Sequence, residues 1–355
     1  MPDVIRAPDE LDALTRRIFE AWGAPADIAA AVAGHLVGAN LAGHDSHGVI
    51  RIPQYAAEQE AGTLVPSARA EVIRERAGIA VVDGGRGFGH HATAVAMAWC
   101  VDRCRETGIA AAAVRRTNHI GRLGEYVEMA VDAGVVGIAS VGIVGAGGVI
   151  PFGARGRFLG TNPWAIGVPG GEDRFVFDAA TSTIAEGKVR VARAKGSALP
   201  EGVLVDASGR TSTDPEAYYA GGGMVPLGGI VAGHKGYGLA LAAALLGGLA
   251  MVDDDRPSYA GTFGGEAYSR NWLAGAFTVA IDPDAFGDAA RYRAMVAGSL
   301  AALRELPAAE GFPEVLVAGD VERRNRERRL TGIPVPERTW EEIADVARRY
   351  GVAVG

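Results

Sequence analysis

The stretch Ile79–Ala92, IAVVDGGRGFGHHA, decides how the fold is read, because an apolar run that ends in glycines ahead of a helix is how a dinucleotide-binding βαβ unit begins. Gly87, Gly89 and Ala92 fill G-x-G-x-x-A. Two observations weaken the match. With 51 glycines in 355 residues, such a spacing arises readily without a ligand. The next apolar run, IAAAAV, then ends in Arg115 and Arg116, where an NAD-binding unit places an acidic residue for the ribose. The reading adopted is an ordinary glycine turn; were the motif a cofactor site, the arginine pair would point to NADP.

Working outward, the short runs EVIRE, IAVVD, IAAAAV, VVGIASVGIV, WAIGVP and FVFD are separated by glycine turns and by helical stretches at 91–106 and 121–133, which predicts a mixed sheet with helices packed on it. The first 60 residues read as helices: Pro8 and Pro25 stand at first turns, and Leu11, Leu14 and Ile18, then Ile28, Val32 and Leu36, recur at helical spacing. GYGLALAAALLGGLAMV, residues 236–252, predicts a buried helix, and LAGAFTVAI after it a core strand. The chain ends in helices, the last being ERTWEEIADVARRYG, and GGGM at 221–224 could be a flexible loop.

A composition of 48% hydrophobic and 22% charged residues suits a globular protein with one large core or two moderate ones. No run of about 18 apolar residues occurs, and MPDVIRAPDELD is too charged for a signal sequence, so the expected location is the cytoplasm, with no membrane partner. Cys100 and Cys104 suit neither a disulfide framework nor a zinc site and are expected as free thiols. A net charge of −7 with scattered Lys and Arg argues against nucleic acid and for a small-molecule partner.

Chemistry concentrates in Gly43–Tyr55, GHDSHGVIRIPQY. His47 beside Ser46 could give or take a proton near neutral pH, while Arg51 and Tyr55, four apart, could clamp a substrate carboxylate. His44 and His47 lack the third ligand a metal needs, so no metal is expected. Thr117-Asn118-His119-Ile120-Gly121 follows a strand, a position that commonly displays an acid or base. Gly160-Thr161-Asn162-Pro163 forms a polar turn, and Asp178 ends the strand RFVFD, where turn-forming and helix-capping roles are the plain alternatives. Lys235 lies among glycines at a helix start, where exposed N–H groups and its charge could hold a phosphate. A hydrolase is disfavoured because no G-x-S-x-G elbow accompanies HDSH.

In this order GHDSHGVIRIPQY, TNHIG, LGTNP, FDAATS with EGKV, HKGYGLAL, and VLVAGD with RRLTGIPVP resemble the malate/L-lactate dehydrogenase family that is distinct from the Rossmann-type enzymes. The resemblance spans about residues 5 to 350 and reaches ureidoglycolate, sulfolactate and diketogulonate enzymes and reductases of cyclic imino acids. It implies an α/β (α+β) fold: a mainly antiparallel mixed-sheet cofactor domain at 73–286, not a doubly wound sheet, and a helical domain made from 1–72 and 287–355, assembled as a homodimer with sites near the interface.

It also implies hydride transfer between NAD or NADP and C2 of a small 2-hydroxy or 2-keto acid, with reduction of cyclic imino acids as the alternative and a non-catalytic ligand sensor on the same fold as a more distant one. Ser46, His47 and His119 match catalytic positions, and Arg51, Tyr55, Thr161 and Asn162 positions beside the substrate. His119, Asp178, Ala179, Ala180, Lys235, Gly236 and Gly319 match cofactor-side positions. Two departures stand out. Lys188 occupies the place of an Asp in the imino-acid reductases, and Ile143 falls where a polar cofactor contact is expected.

Overall fold

The computed structural model describes residues 3–252, 262–263, 266–267 and 273–354. Its main sheet is built round Ala274–Ile281, which pairs antiparallel with both Ile109–Arg115 and Val136–Val149. Beyond the second of these, Trp164–Gly170 and Asp173–Ala179 continue the antiparallel order. Among the described residues, parallel pairing occurs in two places, between Ile79–Asp83 and Ile109–Arg115 and at Met224 against Val149. The sheet is therefore mixed and mainly antiparallel, and not doubly wound.

The IAVVDGGRGFGHHA stretch does form a βαβ unit, because the helix Gly89–Thr107 joins the parallel strands Ile79–Asp83 and Ile109–Arg115. Its glycines, however, make room for the protein's own chain. A Cβ at Gly89 would lie 2.6 Å from the His119 carbonyl oxygen, and one at Gly84 would lie 3.0 Å from that of Arg116. The backbone at 116–119 thus fills the space that a pyrophosphate would need. Asp83, at the strand end, accepts from Gly85 N–H and pairs with Arg115 at 3.0 Å and Arg116 at 3.2 Å, which engages the arginine pair.

The amphipathic spacing read from the first helices has its counterpart in a core. Leu11, Leu14, Ile18, Ile28, Val32 and Leu36 from Pro8–Ala21 and Ala26–Leu41 pack with Ile333, Val335, Ile343 and Val346 from the far end of the chain. A strand ahead of the first helix, Asp3–Arg6, pairs antiparallel with Ile333–Pro336 and ties the two ends together. The helix Ala289–Arg304, placed by sequence with the terminal helices, packs instead on Trp164–Gly170 and Asp173–Ala179.

Two further expectations are corrected. GGGM at 221–224 is no loose loop: Gly223–Met224 is a strand between Val149 and Leu204–Val205. The apolar helix Gly229–Gly247 is only half buried. Its small residues Gly233, Gly236, Ala240, Ala243, Ala244 and Gly247 face inward, and Gly247 meets the backbone of Gly275 in the sheet. Val231, Leu239, Leu245, Leu249 and Val252 stand outward, between 48% and 85% exposed. The segment Gly229–Met251 is long and apolar enough to cross a membrane, yet this glycine-alanine face packs against Val136–Val149 and Ala274–Ile281.

Candidate active site

The segment Gly43–Tyr55 is a pair of short 3-10 turns, Asp45–His47 and Val49–Arg51, feeding the helix Ile52–Glu60. It is held from behind. The Asn40 side chain accepts from Val49 N–H at 2.9 Å and donates to Asp45 at 2.7 Å. Arg329 grips both Asp45 oxygens at 2.6 and 3.1 Å, and His44 meets Glu322 at 3.1 Å. Both anchoring residues come from the helix Asp320–Arg329, so the far end of the chain fixes the turn that carries Ser46 and His47.

On the open side, Ser46 Oγ lies 2.9 Å from His47 Nδ1, and the His47 ring stacks on His119 with centroids 5.5 Å apart. Tyr55, 1% exposed, places its hydroxyl 2.6 Å from His119 Nδ1 and 3.4 Å from His90 Nε2. Arg51 donates from Nε to the Ser46 carbonyl at 2.6 Å and from Nη1 to Gln54 at 2.7 Å, which fixes the plane of its guanidinium. His47 and Tyr55 thus meet His119 directly, Ser46 stands behind His47, and Arg51 lies near enough for its charge to bear on the His119 ring. The site also contains residues that the sequence did not reveal. His90 comes from the glycine-turn stretch itself. His35 stacks edge-on against His90 at 4.7 Å, and its Nε2 accepts from Arg122 N–H at 2.9 Å. Arg122 directly follows the TNHIG motif; His35 has no neighbouring motif to mark it.

The imidazoles are held neutral. Burial, then the charge of Arg51, lowers His47 to about 3; burial lowers His90 to about 3 as well. Burial followed by Arg51, His47 and His90 pushes His119 well below its ordinary value. Arg122 is 1% exposed, paired with both oxygens of Glu128 at 2.9 and 3.1 Å, and its Nε sits 4.0 Å from Asp178. Asp178 accepts from Gly124 N–H at 2.7 Å at the start of the helix Gly124–Asp132, the helix-end role weighed for it, and burial raises its pKa.

Thr161 lies beside this strand end, its carbonyl accepting from Thr181 N–H at 2.9 Å. The Asn162 side chain is engaged within the fold: it accepts from Ile143 N–H at 3.0 Å and donates to the Ala240 carbonyl at 2.8 Å, bracing the sheet against the apolar helix. It is 3% exposed and occupies φ 34°, a conformation that asparagine tolerates better than most residues. Ile143 correspondingly spends its backbone on Asn162.

Lys235 is exposed, but it is not at a helix start, because the helix begins at Gly229 and the amide of Lys235 lies within it. Gly236 is buried under the backbone of Leu227, where a Cβ would come 2.6 Å from that nitrogen, so close packing requires the glycine. Gly319, at φ 102°, caps Asp320–Arg329 and lies against Val176, two residues before Asp178. Lys188 is exposed on the helix Glu186–Lys195.

Three comparisons bear on this arrangement. The chain is 35% identical over 347 residues to hydroxycarboxylate dehydrogenase B of Escherichia coli K12, covering 96% of this chain and 93% of that one. Its structure is similar to sulfolactate dehydrogenase from Methanocaldococcus jannaschii, with TM-score 0.88, 30% identity and coverage of 99% and 98%. It is also similar to delta1-piperideine-2-carboxylate reductase from Pseudomonas syringae, with TM-score 0.81, 30% identity and coverage of 97% and 100%. The sequence pattern described as malate/L-lactate dehydrogenase matches residues 7–344, and with that match the chain belongs to the malate/L-lactate dehydrogenase family.

Proposed function

We infer that the protein moves a hydride between a nicotinamide cofactor, NAD or NADP, and C2 of a small 2-hydroxy or 2-keto carboxylic acid. The observation that carries this reading is the stacked His47–His119 pair beside the oriented guanidinium of Arg51. A carboxylate pairs with Arg51, and the oxygen on C2 then lies within reach of an imidazole. The 2.6 Å contact from Tyr55 favours His119 as the proton acceptor, with His47, oriented by Ser46, binding the same oxygen.

Neutralising Arg51 with the substrate carboxylate also removes one of the charges that depress His119, so its basicity rises when substrate binds. The residues on the cofactor side fit such a group. Ala179 and Ala180 follow Asp178 with half-buried methyl groups, the Thr161 backbone is tied to Thr181 close by, and the exposed Lys235 offers a charge for a phosphate. When bound, the nicotinamide supplies or accepts the hydride. The exposed apolar face of Gly229–Gly247 supports a homodimer.

Likeness to the piperideine-carboxylate reductase supports cyclic imine reduction as the second reading; Lys188, exposed and cationic, does not serve it in place of an Asp. His119→Asn and His47→Asn, with hydride transfer and cofactor affinity measured separately, test the assignment. We expect His119→Asn to lose roughly a hundredfold or more in kcat with cofactor affinity retained, and His47→Asn to lose less. Two unimpaired variants would sink it.

A further inference from the structure

The guanidinium of Arg51 is the first member of a chain of hydrogen bonds that runs away from the site along the helix Ile52–Glu60. Arg51 Nη1 donates to Gln54 Oε1 at 2.7 Å, and Gln54 Nε2 donates to Glu58 Oε1 at 2.8 Å. The spacing 51, 54 and 58 sets the three side chains along one face of the helix and its first turn. Chemistry fixes both ends of the Gln54 amide. A guanidinium only donates, so the amide oxygen faces Arg51; a carboxylate accepts, so the amide nitrogen faces Glu58. The same orientation holds if Glu58 takes up a proton on Oε2, because Oε1 still accepts.

We propose that Glu58 is a positioning residue for the substrate carboxylate: it anchors the Gln54 amide, and that amide holds the Arg51 guanidinium in the plane in which it meets the carboxylate. The inference rests on the hydride-transfer reading above, in which Arg51 pairs with that carboxylate. Glu58 Oε2 is buried with no partner among the described residues, so a carboxyl group is withdrawn from water for one bond to a neutral amide. For stability alone that is a poor exchange, of the kind that persists where function requires it. Burial raises the Glu58 pKa, and the Gln54 bond and then the Arg51 charge oppose it, so the two ends of the chain bear on one another. Arg51 spends its Nε–H on the Ser46 carbonyl and one Nη1 hydrogen on Gln54, which leaves hydrogens on both Nη atoms for a carboxylate.

Glu58→Met and Gln54→Met each keep side-chain length and break the chain, whereas Glu58→Gln keeps an acceptor for the Gln54 amide. Nitrogen NMR of arginine-labelled protein without substrate reads the guanidinium directly, with the Arg51 signals assigned by their loss in Arg51→Lys. A guanidinium held at Nη1 gives two resolved Nη signals, and one free to rotate about Nε–Cζ gives a single averaged signal. We expect resolved signals in the wild type and in Glu58→Gln, and an averaged one in Glu58→Met and in Gln54→Met. In turnover of the 2-keto acid that the protein reduces, each Met variant should raise KM roughly three- to tenfold with kcat nearly unchanged. The double Met variant should raise it no further, because both changes break one chain, and Glu58→Gln should recover most of the wild-type KM. An averaged signal in the wild type or resolved signals in Glu58→Met overturn the proposal, as does a double variant whose effect on KM is the product of the two single ones. Should Glu58→Met not fold, Glu58→Ala is read in the same way. Because the spectra need no substrate, a protein that turns over none of the acids would defeat the hydride-transfer reading while the spectra still decide whether Glu58 anchors Arg51.

Discussion

Replacing His90 by Gln should make the protein less sensitive to acid. In the folded chain burial holds His90 at about 3 against an ordinary value of 6.5. Because the folded value is the lower one, the ring's full contribution is present above 6.5 and is lost as the pH falls through the window from 6.5 towards 3. At pH 5 the unfolded ring is almost fully protonated and the folded one is not, so this single residue costs ~2 kcal/mol relative to pH 7.

Glu125 works in the opposite sense. Burial raises it from 4.5 to about 7, so its contribution is present below 4.5 and lost as the pH rises through 7. Since it is common to both proteins, it cancels in the comparison. The assay is denaturant unfolding of wild type and His90→Gln at pH 7 and pH 5, at one protein concentration. The wild type should lose ~2 kcal/mol more than the variant between the two pH values. An equal loss, within ~0.5 kcal/mol, would refute the reasoning that His90 is held neutral by burial, whatever the absolute stability of the variant.

Asn162→Ala removes a buried acceptor and donor and puts a Cβ without amide at a positive φ, so it should cost ~2–4 kcal/mol while the KM for the carboxylic acid hardly changes; a raised KM at unchanged stability would return Asn162 to the substrate. Leu245→Glu places a charge on the exposed face of Gly229–Gly247 and should convert the sedimenting species from dimer to monomer, whereas a monomeric wild type would contradict the dimer.

Much of the fold was legible because apolar runs and glycine turns are local features. IAVVD, IAAAAV, WAIGVP and FVFD all lie in strands, and Leu11, Leu14 and Ile18 all point inward. What escaped was non-local. Asp3–Arg6 becomes a strand only because Ile333–Pro336 returns beside it, and Gly223–Met224 only because Val149 offers an edge. The apolar helix Gly229–Gly247 looked wholly buried because composition does not say that its small residues alone face the sheet.

At the site, the density of HDSH, Arg51 and Tyr55 and the placement of His119 after a strand were readable. His35 and His90 were not, since a single histidine on a helix carries no mark of the three-dimensional cluster it joins. Asn162 and Gly236 stood in recognisable motifs, yet one braces the sheet and the other admits a close backbone, distinctions that only the contacts make.

The most direct test of the account is consumption of NADH and NADPH by the purified protein with pyruvate, oxaloacetate, sulfopyruvate, 2,3-diketogulonate, and pyruvate with methylamine. We expect turnover of a 2-keto acid without added amine, with at least one of the two cofactors. Turnover only when methylamine is present, or none by folded protein that binds the cofactor, would contradict it.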